Sequence, residues 1–156
     1  MPDIKEEFTV KARIEAAWQL LSDMEKLAHC VPGCQSARQV GENEFDWVLV
    51  AKLLRTSRTI NVRTRASEIT APHHVSFLGD GKLMEGMGFY KLTLRGVMDL
   101  QPISDNETWV IFDGSVSAAG PGGALINKIA SAQMKKLVRD FEQNVRNELE
   151  KPSEGR

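Results

Sequence analysis

The amino-acid sequence predicts an α+β fold in which a curved antiparallel sheet of about seven strands packs against one long C-terminal helix. Apolar and polar residues alternate with a period of two through most of residues 4–118, which is the pattern of strands with one buried face. After residue 123 the apolar spacing changes to about 3.6, which is the pattern of an amphipathic helix. A bent sheet closed by a single long helix leaves room for a mainly apolar pocket.

The N-terminal segment carries one strand and two short helices. Residues 4–11 alternate with a period of two and predict a half-buried strand. Residues 14–21 have helical spacing instead, and either Ser22 or Asp23 can cap a second short helix. The Pro32-Gly33 dipeptide ends that helix.

Further strand patterns follow, and their short connections predict antiparallel neighbours. A glycine-rich segment, residues 79–88, does not have the spacing of a dinucleotide-binding loop. It is interpreted either as a mobile methionine-bearing hairpin at a cavity mouth or as an ordinary flexible turn. The strand patterns cover residues 34–40, 44–53, 56–69, 74–78, 86–102 and 108–118.

The last periodic segment predicts a helix of about 25 residues, which is roughly 40 Å long and can cross a whole small sheet. Basic residues lie beside its apolar stripe. The stripe consists of Ile126, Ile129, Ala130, Met134, Leu137, Val138, Phe141, Val145 and Leu149.

Composition indicates one ordinary globular domain, since the 156 residues are 42% hydrophobic and 26% charged. Residues 1–150 are predicted to form the domain, and residues 151–156 a disordered polar tail. With a net charge of −1, the protein as a whole is not expected to be attracted to nucleic acid or to acidic membranes. Neither a membrane span nor an apolar export signal is visible, so the cytoplasm is the expected location.

The two cysteines, Cys30 and Cys34, are expected to be free thiols in a reducing compartment. Two thiolates cannot complete a tetrahedral zinc site, and their spacing is not that of a zinc knuckle. The histidines that a metal site could add are His29, His73 and His74. We expect neither a metal nor another cofactor.

Several short motifs resemble those of one family. They are F-x-V from Phe8, W-x-L-L-S-D from Trp18, M-E-K-L-A from Met24 and C-V-P-G-C from Cys30. They are similar to the CoxG family, named for the G subunit of carbon monoxide dehydrogenase, and the resemblance covers essentially the whole chain, including the glycines Gly79, Gly81, Gly86 and Gly88. That family belongs to the START/Bet v 1-like superfamily, also called the polyketide cyclase/dehydrase and lipid-transport group. The resemblance implies a helix-grip fold.

The resemblance also implies a hydrophobic cavity for a small molecule such as a lipid, sterol, quinone or polyketide. Some superfamily members catalyse reactions there, but no shared catalytic motif transfers to this chain. CoxG relatives are linked to molybdenum-containing carbon monoxide dehydrogenase systems, in maturation or membrane association. Some carry a C-terminal extension for membrane attachment. This chain ends soon after its helix, so only peripheral membrane contact is expected.

Strand parity and helical spacing direct one apolar set toward the concave side of the sheet. These side chains either line a ligand cavity or fill a core, and both interpretations stay open. Trp47 and Tyr90 also carry a polar group that needs a partner when buried. The candidate ligand-binding residues are Phe45, Trp47, Ile60, Val62, Phe77, Tyr90, Leu92, Phe112, Met134, Leu137 and Phe141.

One basic segment contains no acid. It either meets an anionic partner, a phosphate-bearing ligand or a membrane surface, or it is the solvated convex face of two strands. Nucleic acid is not an expected partner, because aromatic residues do not interleave with the cations. The segment consists of Lys52, Arg55, Arg58, Arg63 and Arg65.

No catalytic residue is predicted. Asp46, Asp99 and Asp113 lie mid-strand among the residues of the exposed polar face. His73 and His74 lie at a loop edge, where solvated histidines are usual. Spacing alone assembles no set of nucleophile, base and orienting group.

Three functions therefore stay open. The first is a non-catalytic binding or carrier protein for a hydrophobic small molecule, accessory to a molybdenum-containing oxidoreductase of the carbon monoxide dehydrogenase type. The second is an assembly or maturation factor that acts through its surface, with the basic segment as the contact. The third is a cyclase- or hydrolase-like enzyme, which requires a buried ionisable residue facing the pocket.

Overall fold

The computed structural model of the chain describes residues 3–53, 56–85, 88–120 and 123–150. Within these ranges the chain forms seven strands, three α-helices and one short 3-10 helix. Their bounds are β1 Asp3–Val10, α1 Ile14–Ser22, α2 Met24–Leu27, the 3-10 helix Ala28–Cys30, β2 Cys34–Gly41, β3 Glu44–Leu53, β4 Thr56–Thr70, β5 His74–Glu85, β6 Gly88–Ser104, β7 Glu107–Ala119 and α3 Gly123–Glu150.

The seven described strands form one antiparallel sheet with the order β1-β7-β6-β5-β4-β3-β2. Strands β2 to β7 are consecutive neighbours, while β1 pairs with β7 at the far edge, with Phe8 opposite Val110. The face that carries the buried residues Val62, Leu83 and Met98 is called the inner face here, and the opposite one the outer face. The predicted α+β helix-grip architecture is confirmed.

The main hydrophobic core lies between the inner face, α1 and the C-terminal half of α3. The Arg146 guanidinium lies 5.9 Å from the centroid of the Phe8 ring, and its Nε donates to the Thr9 carbonyl oxygen at 3.1 Å, so α3 is fastened to β1. The buried core residues are Phe8, Val10, Ala17, Leu20, Leu21, Leu27, Cys30, Val75, Met98, Leu100, Val110 and Val145. None of the helices in the described ranges combines the length and the apolarity that crossing a membrane requires.

The two short helices begin where the sequence predicts. Asp23, rather than Ser22, caps α2, because its carboxylate accepts hydrogen bonds from the backbone N–H groups of Glu25 and Lys26. The Ser22 hydroxyl donates instead to the Trp18 carbonyl oxygen at 2.6 Å. The cap fixes the direction in which the chain leaves α1.

The C-V-P-G-C turn, residues 30–34, joins three parts of the fold. Gly33 adopts a φ of 79°, and its carbonyl oxygen accepts a hydrogen bond from the Val50 N–H at 2.8 Å. The Asn144 side chain of α3 donates to the Cys30 carbonyl oxygen at 3.0 Å. The turn therefore connects the short helices with both β3 and α3.

The glycine-rich segment is mostly strand rather than turn. Because β5 runs from His74 to Glu85, the prediction that this strand ends at residue 78 and is followed by a flexible turn is wrong. The segment belongs instead to a hairpin in which β5 pairs with β6 as far as Glu85 and Gly88, and residues 86–87 lie outside the described part of the chain. Gly79 and Gly81 lie on the inner face of this central strand. A Cβ at Gly81 would lie 2.9 Å from the Asn61 carbonyl oxygen, so glycine permits the close approach of two curved strands.

A β-bulge interrupts β4 between Ala66 and Glu68. Up to Ala66 the alternation follows the prediction. After the bulge, Glu68 lies opposite Ser76 on the outer face, and Ile69 lies opposite Val75 on the inner face. The bulge therefore reverses the facing of these two residues relative to simple alternation.

Candidate functional site

Four large apolar residues are buried on the inner face outside the main core. Trp47 of β3, Val62 of β4, Leu83 of β5 and Leu92 of β6 are 8%, 5%, 2% and 7% exposed. Trp47 lies directly opposite Val62, and the other two follow on the next two strands. We call these four residues the apolar floor.

The polar group of Trp47 is satisfied within the sheet. Its indole Nε1–H donates to the Thr64 hydroxyl oxygen at 2.9 Å, so the predicted need for a partner is met by the neighbouring strand. Tyr90 lies half-buried opposite Leu83 on the same face. Among the described side chains, no buried polar atom lacks a hydrogen-bond partner. The floor therefore presents an apolar surface.

Two glycines make room for two aromatic rings on the inner face. A Cβ at Gly96 would overlap the ring of Phe77, and a Cβ at Gly114 would lie 3.0 Å from the ring of Phe112. The two ring centroids are 6.5 Å apart. Along β5, Phe77 lies between the main core and the apolar floor. Phe77 therefore marks the border between these two parts of the inner face.

A small cleft opens at the end of the sheet nearest to α2. Its volume is about 40 Å³, far below the roughly 300–1,000 Å³ of pockets that bind small molecules. A lipid-sized ligand does not fit in it. The lining residues are Ser22, Met24, Asn43, Phe45, Thr64, Ala66, Ile69, Val75 and Phe77.

The structure brings most of the predicted ligand-binding residues together on the inner face of β3 to β6. Phe45 and Phe77 line the cleft. Trp47, Val62 and Leu92 belong to the apolar floor, and Ile60 and Tyr90 are half-buried beside it. Their role in binding a ligand stays a prediction.

The other four candidates are placed differently. Phe112 and Phe141 pack against the main core, where they also serve stability. Leu137 is 38% exposed on α3, and the side chain of Met134 lies outside the described residues. Helical spacing alone could not separate the residues of α3 that pack on the core from those nearer its start.

Sequence reasoning missed a cluster of three ionisable side chains on the outer face. His74 Nδ1 lies 2.5 Å from Asp99 Oδ1, and His74 Nε2 lies 3.2 Å from Glu68 Oε1. A neutral imidazole has one N–H, so both contacts are hydrogen bonds only when the ring is protonated. The expectation of a solvated His74 is therefore wrong, and the bulge that turns Glu68 outward is the reason.

The described residues bring no acid–base group to the apolar floor. The buried polar side chains among them are Thr108 and Ser115. The Thr108 hydroxyl donates to the Ala12 carbonyl oxygen at 2.8 Å, which is a structural contact. No group of three His, Cys, Asp or Glu side chains in the described part of the chain, including the His74 cluster, is arranged so that it could hold a metal ion. The buried ionisable residue that the enzyme hypothesis requires is not found among these side chains.

Both cysteines are free thiols with raised pKa values. Burial raises the pKa of Cys30, and the Glu148 carboxylate raises it further. Burial also raises the pKa of Cys34, and a hydrogen bond from the backbone of Ser36 partly offsets this rise. Both thiols are therefore protonated at neutral pH and weakly nucleophilic.

The predicted basic segment does not form one cationic face. The register places Arg58 on the inner face, whereas Arg63 and Arg65 lie on the outer face, so the expectation of a single convex surface is wrong for Arg58. Arg63 forms a two-point ion pair with Asp46, at 2.7 and 2.9 Å. The side chains of Lys52 and Arg55 lie outside the described residues.

We expect the pKa of Asp46 to rise to the ordinary carboxyl range when Arg63 is replaced by Gln. Hydrogen bonding to the Arg63 guanidinium holds the Asp46 pKa below its usual value. Because the pKa of Asp46 is lower in the folded protein than in the unfolded chain, the ion pair stabilises the fold at pH values above the ordinary carboxyl pKa. This contribution to stability is lost as the pH falls through the lowered pKa. An NMR titration of the carboxyl carbon measures the change, with Arg65→Gln as the control. Equal titrations in all three proteins would show that the pair does not form in solution.

A family model described as the carbon monoxide dehydrogenase G subunit (CoxG) matches residues 7–150. The chain belongs to this family. The resemblance drawn from the motifs at Phe8, Trp18, Met24 and Cys30 is thereby confirmed. No curated protein matches the chain.

Solved structures share the fold of this CoxG family member at low sequence identity. A conserved protein from Geobacillus kaustophilus is 23% identical, with a TM-score of 0.82 and 95% of each chain covered. A START superfamily protein from Mycobacterium smegmatis is 15% identical, with a TM-score of 0.62, covering 95% of this chain and 97% of that chain. The Zhui aromatase/cyclase from Streptomyces sp. R1128 is 13% identical, with a TM-score of 0.64, covering 95% of this chain and 93% of that chain. At these identities the likeness shows the fold alone.

Proposed function

We propose that the protein binds a hydrophobic small molecule over the inner face of the sheet and carries it without transforming it. The apolar floor is the observation that supports this most, because large apolar residues are buried there outside the main core. In a fold closed by one helix, such a surface is where a pocket for an apolar ligand forms. Membership of the CoxG family and the likeness to START superfamily proteins support the same function.

The chemistry of the floor favours a ligand recognised by shape and apolar area. Thr64 already accepts the indole N–H of Trp47, so the tryptophan offers no donor to a ligand. A lipid, a quinone or a polyketide-like molecule has the apolar surface that such a floor would cover. The family description supports a carbon monoxide dehydrogenase-type oxidoreductase as the system that the carrier serves.

Extraction of gently purified protein is the first test of this proposal. The protein is prepared without detergent, extracted with organic solvent and analysed by mass spectrometry against an extract of the equally treated Val62→Phe variant. A stoichiometric apolar compound in the first sample alone is expected. If neither extract contains one, and Nile red also finds no saturable site, the carrier function is rejected.

We expect Val62→Phe to weaken Nile red binding by about tenfold or more, because the larger ring occupies space above the apolar floor. Val48→Phe is the matched control, since Val48 lies next to Trp47 in β3 but faces outward, opposite Asn61. The control should change the Kd by less than about twofold. Fluorescence titration measures both, and circular dichroism confirms that both variants fold. Equal Kd values for the two variants would count against binding at the floor.

A further inference from the structure

Thr64 lies at the boundary between the apolar floor and the small cleft. On the inner face of β4 it follows Val62 of the floor by two positions, and it lies directly opposite Phe45 of β3. Its side chain is half-buried and lines the cleft. Its hydroxyl oxygen also accepts the indole N–H of Trp47, which belongs to the floor. Thr64 therefore places a polar group where the floor meets the cleft.

Contacts on both sides hold the Thr64 side chain in one orientation. Gly79 of β5 lies directly opposite, and a Cβ there would lie only 3.2 Å from the Thr64 methyl carbon, so the methyl group packs over the glycine. The hydroxyl oxygen is 2.9 Å from the indole nitrogen of Trp47, on the other neighbouring strand. Threonine is stiff at χ1, and a rotation would break both contacts. The hydroxyl group is therefore in place before a ligand arrives.

The Thr64 hydroxyl group keeps one proton to donate. A hydroxyl has one O–H donor and two acceptor lone pairs, and the indole N–H of Trp47 uses only a lone pair. Within the described ranges, no acceptor for the Thr64 proton is found. The bond from Trp47 also polarises the hydroxyl group and makes it a stronger donor. An acceptor atom in the cleft would complete a chain of hydrogen bonds from Trp47 through Thr64 to the ligand.

The other polar side chains that line the cleft do not replace this donor. The Ser22 hydroxyl donates its proton to the Trp18 carbonyl oxygen at 2.6 Å. Asn43 is exposed, so water satisfies its amide group. Among the described residues, those that line the cleft carry no charge. A carboxylate would lose its hydration there without gaining a counter-charge, so a neutral acceptor is favoured.

The size of the cleft limits which part of a ligand reaches Thr64. At about 40 Å³ it receives a group of a few atoms rather than a whole small molecule. The apolar floor begins beside Thr64, at Trp47 and Val62, and continues to Leu83 and Leu92 on the next two strands. A ligand whose polar end enters the cleft therefore covers the floor with its apolar body.

We propose that Thr64 determines ligand specificity by donating a hydrogen bond to a neutral carbonyl oxygen at one end of the ligand. The proposal rests on the carrier function of the apolar floor, and it adds the chemical class and the orientation of the ligand. The class is an apolar molecule that carries a ketone, ester or amide carbonyl group. A single well-placed polar group in an otherwise apolar site fixes orientation in this way. A pure hydrocarbon would leave the Thr64 donor unpaired.

Two fluorescent probes separate this hydrogen bond from simple burial. Prodan carries a carbonyl group, whereas diphenylhexatriene has no hydrogen-bonding group. Thr64→Val removes the hydroxyl group and keeps the shape of the side chain. We expect it to weaken prodan binding by about tenfold and diphenylhexatriene binding by less than about twofold. Equal changes in the two Kd values would mean that Thr64 acts through packing alone, and would overturn the proposal.

Two further variants and one spectrum complete the test. Thr64→Ser keeps the hydroxyl group and should retain prodan binding within about threefold. Thr59→Val makes the same change as Thr64→Val on the outer face of β4, opposite Val50, and should leave both Kd values within about twofold. The infrared carbonyl band of isotope-labelled prodan bound to the wild type should lie at lower wavenumber than in acetonitrile, which donates no hydrogen bond. A band at the acetonitrile position would overturn the proposal even if Thr64→Val does not fold.

The two probes also separate failure of this proposal from failure of the carrier function. If neither probe binds the wild type at a saturable site, the carrier function fails and the role of Thr64 fails with it. If both bind but Thr64→Val does not distinguish them, the carrier function stands and the role of Thr64 is rejected. Selective loss of prodan binding in Thr64→Val, with retention in Thr64→Ser, supports the hydrogen bond.

Discussion

Replacing Gly33 by Ala should lower the free energy of unfolding by about 2–5 kcal/mol. A φ of 79° costs a residue with a Cβ about 1–2 kcal/mol. The new Cβ would also overlap the carbonyl oxygen of Val50, and this contact is with backbone, so no side-chain rotation relieves it. Relief would displace the turn from β3 and weaken the hydrogen bond from the Val50 N–H, adding about 1–3 kcal/mol.

Gly41→Ala is the matched control for this change. Gly41 also lies at a short connection, but the atoms nearest to the methyl group that alanine would add belong to the flexible Glu44 side chain, at 3.2 Å. We expect this variant to unfold within about 0.5 kcal/mol of the wild type. Urea unfolding followed by circular dichroism measures all three proteins. A Gly33→Ala midpoint equal to that of Gly41→Ala would contradict the geometry of the turn.

Leu21→Ala should be comparably destabilising, by about 2–5 kcal/mol, because it leaves a cavity in the main core. Leu21 is completely buried on α1, beside Leu20 and Val145 in the same core. For a chain of this size, the midpoint of thermal unfolding should fall by roughly 5–15 °C. Differential scanning calorimetry measures the shift.

The matched control is Leu78→Ala, which makes the same chemical change on the outer face of β5. Leu78 is 43% exposed, so removing its side chain leaves no enclosed cavity, and the expected loss is about 1 kcal/mol or less. Equal thermal shifts for the two leucines would mean that α1 is not packed as the structure shows. A shift for Leu21→Ala alone supports the placement of the main core.

Most elements of the fold could be predicted from periodicity. The strand alternation of β1, the helical spacing of α1 and the apolar stripe of α3 each correspond to an observed element. The error at residues 79–85 has a physical cause, because glycine marks turns far more often than central strands. Here the missing side chains are needed inside the sheet, where Gly81 faces the Asn61 carbonyl oxygen.

Side-chain facing was less predictable than the elements themselves. Alternation holds along β3, and it placed Phe45 and Trp47 on the inner face correctly. It fails at the bulge in β4, which no local pattern announces, so the contact between Glu68 and His74 was missed. The position of Arg58 was missed for another reason. The prediction grouped Arg58, Arg63 and Arg65 by charge alone. Residues that are an odd number of positions apart in a strand lie on opposite faces, so Arg58 faces inward while Arg63 and Arg65 face outward.

The position of β1 at the far edge of the sheet has a consequence for folding kinetics. Strands β2 to β7 pair with their neighbours in the chain, so those contacts close short loops. The pairing of Phe8 with Val110 joins residues that are far apart in sequence, and such contacts form slowly. On the ribosome, β1 emerges first but has no partner until β7 has been synthesised. We therefore expect β1 to stay unpaired, with Phe8 and Val10 exposed, until β7 is available. Its docking should then complete the core late in folding.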